Sequence, residues 1–385
     1  MELSQKKHWS GFAGTRDDLS REVYCILGVP IDAVEISDVL DRIDAAAQAS
    51  APYLISTPNL HFLVNSGTDQ EFRESLLESD LCPPDGMPII WIARLLGLPI
   101  KGRTAGSDIF EALKSRSDGP RPLRVFLFGG REPVAAEAAR RLNAGLTGLS
   151  CVGWLCPGFG NVEALYQDHF FDQINASGAD LFMAALGARN GQLWLHRNHS
   201  RLRIPVRAHL GATLNFVAGT VKRAPNIMRK AGMEWLWRIK EEPSLFRRYW
   251  HDGGVFLRLL ATRVLPLAIR SRWLQLSAHL SRHDFVILSA QDGDQLTVEL
   301  SGYATASRVP EAIKCFRKAV ASRRRVVIDL SQARAIDTRF FGLLLMLRRE
   351  LKKSGCALQF RGASRRLRRL FRLQAVEFLL SAGNC

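Results

Sequence analysis

Between Val23 and about Leu210 short apolar runs alternate with amphipathic stretches, and this alternation constrains the fold more than any other feature of the chain. The runs VYCILGVPI, PYLISTPN, LRVFLFGG, LSCVGWLC, ADLFMAALG and VRAHLG are rich in β-branched or aromatic residues and run into Gly, Pro or Asn. That composition predicts strands. Between them ISDVLDRIDAAAQA, DQEFRESLLESD and EPVAAEAARRLNAGL place apolar residues at helical spacing. Strand–helix alternation predicts an α/β fold, a parallel sheet with helices on both faces. In such a sheet ligands bind outside the carboxyl ends of the strands, so the loops that follow strands are where chemistry is expected.

The remainder divides by composition. Residues 1–20 are polar and read as a flexible leader, and 21–219 form the α/β core. Residues 220–284 hold 13 Lys/Arg against 5 Asp/Glu, with Trp235, Trp237, Trp250 and Trp273. A basic, Trp-rich amphipathic segment suits an interfacial membrane anchor, and equally a helix packed on the core with a solvated basic face. The pattern does not choose between them. Residues 220–280 are read as this appendage with its linker, the linker proper falling between Leu274 and Asp284. From 284 to 385 the order is two strands around a polar turn, a helix, the strand RRRVVIDLSQ, the helix TRFFGLLLMLRRELKKSG, the strand CALQFRG and the basic helix SRRLRRLFRLQA. This makes a second α/β unit of ordinary domain size.

A chain of 385 residues with 53 Lys+Arg against 37 Asp+Glu carries a net charge of +16. Such a surface attracts polyanions: nucleic acid, phosphorylated small molecules or an anionic membrane face. Nucleic-acid binding has no recognition-helix motif or aromatic RNA-binding strand behind it. No run approaches the length of a spanning helix, and the start lacks a secretory signal core, so a cytoplasmic location is expected. The seven cysteines show no zinc or redox spacing and are expected as reduced thiols.

Searches for generic catalytic and nucleotide-binding motifs return nothing, so the candidates are polar residues on strand-following loops. Thr57 and Asn59 follow an apolar strand in ISTPN. Asp85 sits in CPPDGMPI, where two prolines and a glycine fix the backbone around one carboxylate. A carboxylate held this way suits a general base, although Asp-Gly pairs are also ordinary turns. Gly129 and Gly130 separate a strand from a helix, a place where backbone N–H groups meet phosphate.

The ordered motifs of residues 23–250 resemble the WecG/TagA/CpsF glycosyltransferases of bacterial cell-surface polymer synthesis. They are TPN (57–59), PDGMPIIWIARLLG (84–97), RTAGSD (103–108), FLFGG (126–130), GW-x-x-PGF (153–159), LG (186–187), LGATLNFVAG (210–219), KRAP (222–225) and GMEWLWRIKEEPSLFRRY (232–249). The resemblance implies a Rossmann-like fold and transfer of a sugar, with inversion and no required metal or other cofactor. The donor would be a UDP-sugar, and the acceptor a polyprenyl-diphosphate-linked glycan at the cytoplasmic face of the inner membrane. It further implies Asp85 as the base. Thr57, Asn59, Arg103, Ser107, Asp108, Gln192 and Asn215 would contact substrate, and Gly129, Gly130, Arg238, Arg247 and Arg248 the nucleotide diphosphate. The basic appendage would dock on the membrane and close over the site. Some relatives self-associate, so a homo-oligomer is open.

Two departures bear on the donor sugar. Relatives commonly carry Pro-x-Gln-Glu after the LG, where this chain reads Gly187-Ala-Arg-Asn-Gly191-Gln192-Leu-Trp194. Aligned without a gap, Gly191 replaces the glutamine; a one-residue slip returns Gln192 to that role. Asn215 stands where an aspartate is frequent. The C-terminal unit resembles STAS domains related to anti-sigma-factor antagonists, through VVIDLSQARAIDTRFFGLLLMLRRELKKSGCALQFRGASRRLRRLFRL. That resemblance implies a protein partner and makes Thr338 a candidate phosphosite, although Asp337 or Thr338 also suits a helix cap. Arg339 replaces the small residue usual after the Thr. The alternative function is a catalytically inactive regulatory member acting through the STAS domain.

Overall fold

The computed structural model describes residues 17–117, 121–145, 148–158, 160, 162–163, 165–280 and 285–381. The first apolar run does not enter the main sheet. β1 (Val23–Ile26) and β2 (Val29–Asp32) form an antiparallel hairpin of their own. Leu27 and Gly28 at its tip have φ of 48° and 85°, the left-handed pair that a two-residue hairpin turn of matching twist requires.

The core sheet is parallel and five-stranded: β3 (Tyr53–Ile55), β4 (Leu123–Gly129), β5 (Leu149–Leu155), β6 (Leu181–Ala185) and β7 (Val206–His209), in the order β3-β7-β6-β4-β5. α1 (Ile36–Gln48) precedes β3. Between β3 and β4 come α2 (Leu60–Thr68), α3 (Gln70–Leu77), α4 (Met87–Leu95) and α5 (Gly106–Ser115). α6 (Glu132–Asn143), α7 (Asp168–Ala176) and α8 (Ala188–Asn198) are the crossovers from β4 to β7, and α9 (Gly211–Ala218) follows. The period of two decides which face each residue fills. Val125, Leu127, Leu181 and Met183 join a core with Ile43, Leu113 and Leu142. Phe126, Phe128, Phe182 and Ala184 face the other way, into a core with Phe62, Phe72 and Trp194. The crossovers diverge between β4 and β6, so the topological switch point lies at Gly129–Gly130 and Leu186–Gly187.

The appendage is helical: α10 (Asn226–Lys230), α11 (Glu234–Glu241), α12 (Phe246–Leu259), one π-helical turn at Leu260–Val264, and α13 (Leu265–Leu280). Pro266 explains the π turn. It has no N–H to give, and the Leu265 N–H reaches five residues back to the Leu260 carbonyl. The expected linker thus begins inside α13, and 281–284 lie outside the described residues.

The C-terminal unit has β8 (Val286–Asp292), β9 (Gln295–Ala304), α14 (Val309–Ala321), β10 (Arg325–Asp329), β11 (Ala333–Ile336), α15 (Thr338–Lys353), β12 (Leu358–Arg361), α16 (Arg365–Leu373) and α17 (Phe378–Ser381). Its sheet runs β11-β9-β10-β12, with β8 antiparallel on β9. The short strand β11 has no counterpart in the sequence-based order of elements.

This unit is fixed to the transferase core through α15, which lies on the β1–β2 hairpin. A Cβ added at Gly342 would fall 2.0 Å from the Val23 carbonyl oxygen, so only glycine allows this approach. Arg339, in place of a small residue, donates to the backbone carbonyls of Val23 and Arg21, each at 3.1 Å. Arg348 forks onto Glu74 at 2.9 Å, and Arg349 joins Asp18, Asp80 and the Glu78 carbonyl. Residues 17–20, expected as part of the flexible leader, are packed into this seam, where Asp18 and Leu19 are buried. Residues 1–16 lie outside the described residues.

Candidate active site

The β3 loop, Ser56 to Asn59, emerges at the carboxyl edge of the sheet. Asn59 ends it by capping α2, its Oδ1 accepting from the Phe62 N–H at 3.2 Å. The Pro58 carbonyl accepts from the Asp85 N–H at 3.0 Å, and the Thr104 N–H donates to the Pro84 carbonyl at 2.7 Å. These bonds stitch the Asp85 turn between two other loops. Gly86 closes the turn at a φ of 83°, which opens α4 with Pro88 in its first turn. The Gly106 N–H, at the start of α5, faces the Asp85 carboxyl and favours its ionised form. An added Cβ at Gly106 would meet Leu210 Cδ2 at 2.5 Å and Thr57 Oγ1 at 3.4 Å. Thr57, Asn59, Asp85 and Gly106 therefore converge at one place.

Burial pushes the Asp85 carboxyl up to about 7, with Glu234 and Asp108 adding to the rise and Arg103 opposing it. A carboxyl balanced near neutrality has the basicity a general base needs at physiological pH. Beside it lies an ion-pair network joining core and appendage. Arg103 binds Glu234 and, at 2.9 Å, Asp108. Asp108 also receives Arg223, and Arg229 at 3.2 Å, while Arg223 reaches Ser107 at 3.0 Å. Arg103, Arg223 and Arg229 thus converge on Asp108 and Glu234 beside Asp85, binding the appendage to the core. Arg223, Arg229 and Glu234 are not among the residues the sequence marks as candidates, although KRAP and GMEW contain two of them.

The switch point lies at the same carboxyl edge of the sheet. A Cβ at Gly129 would meet the Ala185 carbonyl oxygen at 2.5 Å, and Gly129 and Gly130 both have left-handed φ, 115° and 75°, which glycine adopts without strain. α6, α8 and α9 start at this edge, and no side chain caps any of them. Uncapped N-termini present N–H groups and a positive dipole end to an anion.

The expected residues are not all gathered here. Gln192 is fully buried and its Nε2 donates to Ser56 Oγ at 2.7 Å, inside the core rather than in the cleft. His209, which no sequence motif marks, lies at the carboxyl end of β7 among Gly187, Gly191 and Gly211. Its ring is 6 % exposed and Nε2 has no hydrogen-bond partner among the described residues. Burial holds its pKa down to about 4, so the imidazole is neutral at pH 7. Asn215 is half-buried on α9. Arg238 pairs with Glu242 at 2.7 Å and lies 5.5 Å over the ring of Phe216, next to Asn215. Arg248 is half-buried over Tyr249 at 5.1 Å, and Arg247 is exposed.

α12 is held to the site by Asp252, which accepts from His61 at 2.9 Å, two residues beyond Asn59. Outward, the appendage exposes Ile227, Trp235, Phe246, Trp250 and Leu257, with Trp250 76 % exposed. No helix among the described residues is long and apolar enough to cross a membrane.

The fold is thus a parallel α/β sheet with a near-neutral carboxyl at its carboxyl edge, joined to a second α/β module. Residues 24–269 match the Glycosyl transferase WecG/TagA/CpsF family and residues 287–381 the Mlab, STAS domain family. The chain belongs to the WecG/TagA/CpsF family and is a glycosyltransferase. It is similar to the N-acetylglucosaminyldiphosphoundecaprenol N-acetyl-beta-D-mannosaminyltransferases of Bacillus spizizenii and Bacillus subtilis. The first is 29% identical over 194 residues, 50% of this chain and 73% of that protein. The second is 25% identical over 197 residues, 51% and 74% respectively. A solved structure of the anti-sigma factor antagonist SpoIIAA in its unphosphorylated form shares 16% identity over 23% of this chain and 82% of that one, at a TM-score of 0.21.

Proposed function

We propose that this chain moves a sugar from a UDP-sugar to a polyprenyl-diphosphate-linked glycan in surface or exopolysaccharide synthesis, with inversion and without a required metal. The observation that carries the reading is the rigidly held Asp85 carboxyl at about 7 beside an arginine network that ties the appendage to the core. Asp85 takes the proton of the acceptor hydroxyl while that oxygen bonds to the anomeric carbon. The sugar–phosphate bond breaks on the opposite face, and its electron pair leaves with UDP. Arginines of the appendage stabilise the charge that develops on the diphosphate, the first candidates being Arg238 and Arg248. Thr57 and Asn59 hold substrate beside the base.

The names of the two Bacillus relatives make N-acetylglucosaminyl-diphosphate-lipid the first acceptor to test and UDP-N-acetylmannosamine the first donor. The exposed aromatic residues of α11 and α12 support work at the cytoplasmic face of the inner membrane, where such an acceptor is held. The STAS domain serves as a docked scaffold. Thr338 remains a modification site of this reading: its hydroxyl accepts from the buried Gln374 Nε2 at 3.0 Å, a bond that a phosphoryl group would break.

The test is UDP release from a panel of UDP-sugars with a short-chain prenyl-diphosphate-linked acceptor, with and without EDTA. One donor that turns over in EDTA supports the reading. Donor binding with no turnover for any donor supports the inactive regulatory alternative.

A further inference from the structure

The basic helix of the STAS domain does not stand alone. α16 presents Arg365, Arg366, Arg368, Arg369 and Arg372 to solvent, while Leu367, Leu370 and Phe371 anchor it in the core. It lies against the long appendage helix, where Arg263 Nη1 donates to the Arg372 carbonyl at 2.8 Å. Further along, on α13, Arg270 faces Arg366 and Arg369, and burial followed by these two neighbours lowers its pKa. Its Nε and Nη2 are shut off from solvent and have no hydrogen-bond partner among the described residues.

Packing like charges together without an acceptor is costly, and an anion that neutralises them removes that cost. The chain supplies little: residues 253–280 and 365–373 together hold nine arginines and no Asp or Glu. The nearest acid contact on α16 is Glu377 with Arg372 at 3.1 Å, at the far end of the helix from Arg366. The same run of helix exposes Leu257, Leu265 and Ile269, with Ile269 60 % exposed, and continues back to the exposed Phe246 and Trp250. A free phosphate or an acidic protein would satisfy the arginines but leave these side chains uncovered. An anionic bilayer satisfies both, taking the apolar side chains below its headgroups and the guanidinium groups among them.

We infer that α16 of the STAS domain and the α12–α13 helix form one docking surface for anionic phospholipid headgroups, with Arg270, Arg366 and Arg369 as a phosphate-binding cluster. The STAS domain thereby becomes part of the membrane anchor and fixes how the transferase cleft is presented to the bilayer. This inference rests on the reading that the chain works at a membrane surface, and extends it to a domain that reading does not involve.

The experiment is vesicle flotation of the full chain on pure phosphatidylcholine and on phosphatidylcholine with about one third phosphatidylglycerol. Wild type, Arg366→Gln/Arg369→Gln and Phe246→Ala/Trp250→Ala are compared, with melting temperatures alongside. Each arginine at an anionic surface is worth about 1 kcal/mol, or about fivefold. The double glutamine variant is expected to partition roughly 25-fold less onto phosphatidylglycerol vesicles while melting at or above the wild-type temperature, because it relieves Arg270. The aromatic double variant is expected to bind both vesicle types less. Unchanged partitioning of the glutamine variant overturns the inference while leaving aromatic docking intact. Wild type that floats with neither vesicle overturns both readings. Loss of heparin retention in the glutamine variant with vesicle binding intact would also overturn it, in favour of a soluble polyanionic partner.

Discussion

A Cβ placed on Gly191 would lie 2.1 Å from Cδ2 of His209, so the imidazole occupies the space into which any side chain at 191 would project. A side chain at 191 would enter that space from α8; this chain fills it from β7. A buried ring nitrogen left unpaired costs about 1–3 kcal/mol, which a bound ligand offsets when it supplies the missing partner. We therefore expect His209→Phe, which keeps a ring and removes the nitrogens, to raise KM for the donor roughly tenfold with little change in melting temperature. Steady-state kinetics with the donor varied checks this. An unchanged KM would make His209 a packing residue only.

The seam between the two modules depends on Arg349, whose guanidinium is shared by Asp18 and Asp80. Removing one partner of a buried ion pair strands the other charges, at a cost of about 3–5 kcal/mol. Arg349→Met is expected to lower the melting temperature and to raise hydrogen exchange in the β1–β2 hairpin before the five-stranded sheet responds. Simultaneous exchange in both would contradict the assignment of Arg349 to the seam.

Acid should loosen the same seam. Burial alone would raise the Asp18 carboxyl, but Arg349, Arg21 and Lys353 outweigh it and hold the group well below the ordinary carboxylate range. A depressed folded-state pKa gives stability that is fully present above about pH 4, the unfolded value, and is lost as pH falls through the folded one. Melting temperature measured from pH 6 downward should fall more steeply in wild type than in Asp18→Asn, and parallel curves would contradict this.

Much of the fold is legible in the sequence because apolar runs and helical spacing are local signals. Val125 to Phe128 and Leu181 to Ala184 are unbroken apolar runs, as strands buried on both faces require, with Phe126 and Phe182 on one face and Val125 and Leu181 on the other. The β1–β2 hairpin instead reads as one strand of the sheet. Its eight strand residues are all buried, like those of a parallel strand, and its turn is only Leu27 and Gly28. The docking of the STAS domain is hidden for a different reason. Arg348 and Arg349 look like any solvated basic pair on an amphipathic helix, and only tertiary structure brings Glu74, Asp18 and Asp80 to them. At the site, the TPN and PDG loops stand out as motifs, whereas His209 is one residue of an ordinary strand and Gln192 turns into the core.

The pH dependence of transfer follows from Asp85. Because burial raises its folded-state pKa to about 7, the base is protonated and inactive below that pH. The logarithm of kcat/KM should rise with unit slope below pH 7 and level off above it. The same shift makes the folded protein hold a proton that the unfolded chain gives up, so this group's contribution to stability is lost as pH rises from about 4 to about 7. A flat activity profile from pH 5.5 to 8 would contradict Asp85 as the base.

The most direct measurement is turnover by Asp85→Asn, which keeps the shape of the side chain and removes its basicity. Transfer with the preferred UDP-sugar should fall by roughly 10²-fold or more, the contribution of a general base, while donor affinity by calorimetry stays within about threefold of wild type. Turnover of this variant near the wild-type rate, with the same donor affinity, would contradict the assignment of the base and the mechanism built on it.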